Sequence, residues 1–281
     1  MMFLYICMDL KIFCLMIKQI MLFLLVFIGF SNNSQAQFRG VSHEIGIITG
    51  PIAFQSDYGQ RHDFSTNAGN TGVGIGIVHF LNFTYNSRYN YTPKTFFNNH
   101  FKLRSELSYN KTKLEHFGKY VAPEKTSVGA NQLRAMRGST SITNLGMQLE
   151  FFPKNIRDYT ATIGAFAPFL SLGGQFSYYS AEASSTLGVL GDPAITYPKY
   201  LTPTDGRPYG FSTESKGVFS VVSSIGTRYK LNDSSDLMID LRAQYFFSNW
   251  VDGLNPNPNI YKENKANDWL LWLNVGYIYY L

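Results

Sequence analysis

Apolar and polar residues alternate one for one in eight separate stretches of this chain. The cleanest is 237–247, Leu-Met-Ile-Asp-Leu-Arg-Ala-Gln-Tyr-Phe-Phe. Leu237, Ile239, Leu241, Ala243, Tyr245 and Phe247 share one parity, while Asp240, Arg242 and Gln244 share the other. A period of two belongs to a strand with one apolar and one polar face. In a soluble sheet the apolar face would meet a packed layer, but almost no segment here has the helical period that could supply one. The economical arrangement puts lipid on the apolar face and the inside of a barrel on the polar one.

The remaining strands are expected at about 42–54, 71–83, 101–110, 140–152, 163–179, 218–230 and 268–281, which gives an even count of eight. Connections alternate long and short. The long ones, about 55–70, 111–138, 180–216 and 249–267, suit extracellular loops, and both chain ends then fall on the periplasmic side. The fold class is thus an all-β, transmembrane antiparallel up-and-down barrel. Ten strands are required if a hairpin lies within 180–216. In strands three to eight no Lys, Arg, Asp or Glu stands at a lipid-facing position, where a basic residue at the midplane would cost about 2–4 kcal/mol. Tyr109, Tyr178, Tyr229, Tyr245, Phe247, Trp269, Tyr277 and Tyr279 gather near strand ends, as interface girdles do.

Composition agrees. Only 15% of the 281 residues are charged, against 16% aromatic, where a soluble domain has about 25% charged. The mean hydropathy of −0.10 is too low for a bundle of membrane helices. The apolar run 21–30 after Lys18, followed by Ser34-Gln35-Ala36, reads as a secretory signal with cleavage after Ala36; Met16 is the more natural start. The run is shorter than the roughly 20 residues a spanning helix needs. Cys7 and Cys14 both lie in that segment, so the mature chain has no disulfide or thiolate site. Lys11, Lys18 and Asp9 account for +1 of the formal +5, and the remaining +4 is no nucleic-acid signature.

Gly72-Val-Gly-Ile-Gly-Ile77 has neither the spacing nor the following helix of a dinucleotide fingerprint. It reads as glycine on the inner face of a narrow barrel. The five histidines, His43, His62, His79, His100 and His116, are too scattered to suggest a metal site. His79, on a lipid-facing parity, is the one candidate for lipid chemistry, and no Ser or acid stands at an obvious partner spacing. No catalytic, cofactor or metal residues are therefore assigned.

Glu44, Lys102, Arg104, Glu106, Glu150, Arg228, Asp240 and Arg242 fall on the inward parity. An eight-stranded barrel is just wide enough to be filled by side chains. Buried charges must pair, so a closed lumen network is expected, with Asp240 beside Arg242 or Arg228. A gated path for ions or small solutes is the alternative. A second basic set, Lys111, Lys113, Lys119, Lys125, Arg134 and Arg137, lies in the predicted 111–138 loop and could meet lipopolysaccharide phosphates or an acidic partner. The expected function is structural or interactive at the cell surface, including service as an accessory subunit of an outer-membrane assembly or secretion complex. The partners expected are membrane lipid, lipopolysaccharide or such a complex. Deleting much of 181–215 is expected to leave folding intact.

Several stretches carry a family resemblance: His43-Glu-Ile-Gly, Gly50-Pro-Ile-Ala-Phe-Gln-Ser-Asp-Tyr58, Leu114-Glu-His-Phe-Gly-Lys119 and Gln132-Leu-Arg-Ala-Met136. Asn249-Trp-Val-Asp-Gly-Leu-Asn255, Glu263-Asn-Lys-Ala-Asn-Asp-Trp269 and the terminal Tyr-Tyr-Leu add to it. Together they resemble a family of outer-membrane β-barrel proteins of Bacteroidota, especially flavobacteria. The resemblance covers most of the mature chain. It implies fold and location and brings no catalytic residues. The aromatic terminus also resembles the C-terminal signal read by the barrel-assembly machinery.

Overall fold

The structure is a computed structural model that describes residues 41–60, 63–84 and 95–281. The expected leader 1–36 with its cleavage point, His62 and much of the first short connection lie outside them.

Eight strands form a closed barrel, each antiparallel to the next, with β1 sealing against β8. They are β1 (Ser42–Gln55), β2 (Thr71–Asn82), β3 (Phe101–Glu115), β4 (Met136–Phe151), β5 (Phe166–Ser185), β6 (Ser215–Asn232), β7 (Ser235–Phe246) and β8 (Trp269–Tyr280). The strand pairings of the 186–214 connection are isolated bridges, Ser185 to Gly188, Thr204 to Arg207 and Phe211 to Leu254, so no extra hairpin adds to the eight. Helix α1 (Phe96–His100) and helix α3 (Ile156–Thr160) lie at the lower end, where β1 begins and β8 ends. Helix α2 (Val128–Ala135) lies at the upper end. Side-chain oxygens of Thr95, Ser127 and Asn155 cap the three helices by accepting from Asn98, Ala130 and Arg157 N–H.

Alternation sorts the faces as expected. On β7, Met238, Asp240, Arg242, Gln244 and Phe246 are buried, while Leu237, Ile239, Leu241 and Tyr245 are exposed. The outward residues of 45–53, 71–81, 101–109, 143–151, 166–178, 219–231, 237–245 and 269–279 include no Asp, Glu, Lys or Arg. That is a continuous apolar belt.

Four strands run past the belt. β3, β4, β5 and β6 have 15, 16, 20 and 18 residues, against 12 in each of β2, β7 and β8. The β3–β4 ladder continues without a break to Glu115 opposite Arg137. The expected end of strand three near residue 110 is therefore too early. Above Tyr109 the outward residues change from apolar to polar while the backbone pairing goes on. Lys111 and Lys113 thus sit on strand β3 and Arg137 on β4, not in a loop.

Inside, Trp272 is fully buried. A Cβ added to Gly74 would come within 2.4 Å of its indole. The glycine-rich β2 therefore makes room for the largest side chain in the lumen.

Candidate functional site: the lumen and its loop cap

The barrel closure brings all eight inward-reading charges together. Lys102 Nζ reaches Glu44 Oε1 at 2.6 Å, and Arg228 bridges Glu44 at 2.7 Å and Glu150 at 2.8 Å. Arg104 lies 3.0 Å from Asp240, 3.0 Å from Glu106 and 3.6 Å from Glu150. Arg242 closes the chain with a two-pronged contact to Glu106, 2.5 and 2.7 Å. Asp240 therefore faces Arg104, with Asn274 donating to its other oxygen at 2.8 Å, and not Arg242 or Arg228 as expected. Two further members are Lys230 and Asp236, 3.7 Å apart. Asp236 stands next to the β6–β7 turn, and its parity with Asp240 and Arg242 marks it as inward. Counting these two, five cations face five carboxylates, all essentially unexposed.

Rings flank the cations. Arg228 sits 4.0 Å over Phe80, Lys230 3.8 Å over Tyr280 and Arg242 5.0 Å over Trp272. Guanidinium on an aromatic face stays electrostatically stabilised where water is absent.

Above the ions the lumen turns neutral. Asn144 Oδ1 accepts from Ser177 at 2.7 Å and from Gln244 at 3.0 Å, and Gln244 also donates to Ser220 at 2.9 Å. Higher still, Phe54 and Phe246 stack at 6.2 Å.

The upper loops fold over this end. Tyr200 O–H donates to the Asp57 carbonyl at 3.0 Å, and Asn264 and Asn249 donate to the Asp57 carboxylate at 2.7 and 3.0 Å. Asp268 accepts from the N–H groups of Val251 and Asp252 at 2.9 and 3.2 Å. Asp205 accepts from Trp250 Nε1 and Asn255, with Arg207 4.0 Å over the Trp250 ring. The loop 186–214 is therefore a packed part of the cap, and deleting 181–215 would also remove the upper end of β5. Burial, then the neighbouring carboxylates of Asp268 and Asp57, pushes the Asp252 carboxyl well above its ordinary range. Burial, with Lys199 and Arg137 nearby, pushes the His116 imidazole down to about 3. The phenols of Tyr58 and Tyr200 are pushed up by burial.

The second basic set is spread over strand and loop. Lys119 pairs with Asp63 at 3.2 Å and Arg137 with Glu115 at 3.3 Å. Arg134 is a clamp. Its guanidinium donates to the carbonyls of Val121, Ala122 and Lys125 at 2.8–3.2 Å and to Asn131 Oδ1 at 2.9 Å. Lys111, Lys113 and Lys125 are exposed.

His79 does point outward, and its neighbour is one the spacing argument missed. His43 Nδ1 lies 3.0 Å from His79 Nε2, with the rings stacked at 5.2 Å. Pairing of Ile45 with His79 across β1 and β2 brings the two together. Three or more His, Cys, Asp or Glu grouped as metal ligands are not found among the described residues.

No protein-family model matches the chain. Curated proteins give no match either. Among solved structures the chain is similar to a major outer membrane protein from Thermus thermophilus, with 13% identity, 85% of this chain and 100% of that one covered, and a TM-score of 0.44. It is also similar to Neisserial surface protein A, at 13% identity, 86% and 99% coverage and a TM-score of 0.42. A third likeness is to Ail, the attachment invasion locus protein of Yersinia pestis, in complex with the heparin analogue sucrose octasulfate. There the identity is 12%, the coverage 87% and 100%, and the TM-score 0.40.

Proposed function

We propose that this chain is an outer-membrane barrel whose lumen is structural and whose working surface is its upper, loop-bearing end. The observation that carries this reading is the matched lumen network. Five cations and five carboxylates neutralise one another inside a closed wall, under a cap made of the upper loops. A conducting pore keeps charges in contact with water; here they are withdrawn from it. The uncharged outer belt supports a lipid surround. The exported, flavobacterial-type setting implied by the leader and the terminal Tyr-Tyr-Leu supports the outer membrane as that lipid.

The polar extension of β3–β6 then stands at headgroup level. Exposed Lys111 and Lys113, one pair of residues above Tyr109, are placed to meet lipopolysaccharide phosphates as point charges. The cap above them offers a surface for a protein partner of the envelope, as an accessory subunit would need.

The reading is tested by refolding the protein into planar bilayers and into vesicles. The expected result is a heat-modifiable, protease-resistant barrel with no unit conductance. Stepwise ion currents that Glu106→Gln alters would replace it with the channel reading.

A further inference from the structure

A cavity of about 130 Å³ lies between the four upper loops. Water occupies about 30 Å³ per molecule, so the space holds roughly four waters or one small ring. Its base is aromatic. His116 lies between Tyr58 and Tyr200, with ring centres 5.1 and 6.0 Å away, and both tyrosines are fully buried. Toward the opening stand Tyr120, Tyr197 and Tyr261, more exposed and contributed by three different loops.

The polar groups narrow the occupant. His116 hydrogen-bonds to the Tyr58 backbone carbonyl. An imidazole that gives its one proton to a carbonyl keeps a lone pair on the other nitrogen. That nitrogen, Nε2, is buried and has no hydrogen-bond partner among the described residues. It is an acceptor in want of a donor, and such a group is costly to leave unmatched. A sulfate or an ionised carboxylate cannot donate to it. The one lysine lining the cavity, Lys199, is engaged by Glu263 at 3.2 Å and by Asn264. The cavity thus combines stacking faces and a neutral acceptor with an internally balanced ion pair.

We propose that this cavity binds one ring of an uncharged saccharide, with a sugar hydroxyl donating to His116 Nε2 and the ring's C–H face lying against the tyrosines. A sugar ring has what the lining asks for: an apolar face for aromatic groups and hydroxyl donors around its edge. The proposal rests on the reading of the loop end as the working surface and adds a ligand class to it.

The test uses the full barrel folded in detergent micelles, with saturation-transfer NMR on methyl glucoside, methyl galactoside and the methyl glycoside of N-acetylglucosamine. A sulfated disaccharide serves as the anionic comparator. The expected result is saturable transfer from at least one neutral glycoside at millimolar concentration, unaffected by the sulfated sugar. It should weaken at least tenfold in His116→Phe, which keeps the ring and removes the acceptor. Tyr261→Ala, at the opening, should weaken it as well and carries the test should His116→Phe fail to fold. The proposal is overturned by no saturable transfer from any glycoside, by unchanged transfer in the folded variants, or by binding of the sulfated sugar alone. A closed, lipid-inserted barrel that ignores glycosides would overturn this inference only. A conducting barrel that binds them would overturn the structural-lumen reading only.

Discussion

The chain carries two sets of basic residues that look alike on paper and have opposite physical standing. Those of the lumen, Lys102, Arg104, Arg228, Lys230 and Arg242, are unexposed, and each has a carboxylate partner within 4 Å. Those of the upper end, Lys111, Lys113, Lys119, Lys125, Arg134 and Arg137, lie at or near the surface, and two of them pair with a single exposed or half-exposed acid. In the lumen a charge has no water to fall back on, so the fold must supply its partner. At the surface, solvent already stabilises the charge, and pairing adds about 1 kcal/mol or less. Where a charge sits decides what its removal does.

The sharpest way to break the comparison is Glu106→Ala. Glu106 holds both prongs of Arg242 and one contact from Arg104. Its loss leaves two buried cations short of a partner, and breaking a buried pair on one side costs about 3–5 kcal/mol. The expected outcome is a large fall in the urea midpoint of the vesicle-inserted barrel. The double variant Glu106→Gln with Arg242→Met should recover most of it. A single variant as stable as the parent would mean that water reaches the lumen.

Asp240→Ala should rank next. Arg104 loses a 3.0 Å partner but keeps Glu106 and Glu150, and Asn274 loses its acceptor. A loss of about 1–3 kcal/mol is expected, the range for an unmet buried group. Combining Asp240→Ala with Arg242→Met should cost less than the sum of the two single changes, because both residues belong to one network through Arg104 and Glu106 and the double change removes one charge of each sign.

The cap should respond to pH. His116 sits near 3 in the folded protein and near 6.5 when unfolded. Its contribution is intact above 6.5 and is lost as pH falls from 6.5 toward 3, because only the unfolded imidazole takes up the proton. Asp252 runs the other way. With its folded value raised, its contribution is full below about 4 and fades as pH rises through that raised value. Hydrogen exchange should show the 247–268 and 116–120 amides best protected at intermediate pH. His116→Phe should flatten the acid side and Asp252→Asn the alkaline side. Unchanged profiles in both variants would show that the cap opens by some other route.

The lumen was legible in the sequence because a strand's period of two converts parity into position. Glu44 and Arg228 are 184 residues apart and still meet at 2.7 Å, since both are inward on strands of a closed sheet. Parity does not fix height along the barrel, so the pairing of Asp240 with Arg104 could not be read. Lys230 has the inward parity of strand six but, like Asp236, stands outside the expected set of eight charges, because the two flank a turn. The cap was illegible for a deeper reason. Loops have no period, and Tyr58, His116, Tyr200 and Asp252 are brought together by contacts between segments far apart in the chain. His43 escaped notice for a related reason: cross-strand register, not spacing, sets it beside His79.

The smallest structural effect should come from Lys111→Glu with Lys113→Glu, and it sharpens the comparison most finely. Both side chains are exposed on β3 above the apolar belt, opposite Ser141 and Ser139. Surface substitutions of this kind stay within about 0.5 kcal/mol, so the urea midpoint should hold. Binding to lipopolysaccharide-containing vesicles should fall several-fold at low salt, and the difference should shrink as salt screens the phosphates. The same charge reversal at Lys102 would place an acid beside Glu44 inside the wall and should abolish folding. A barrel that tolerates both reversals equally would show that the lumen, like the surface, has access to water.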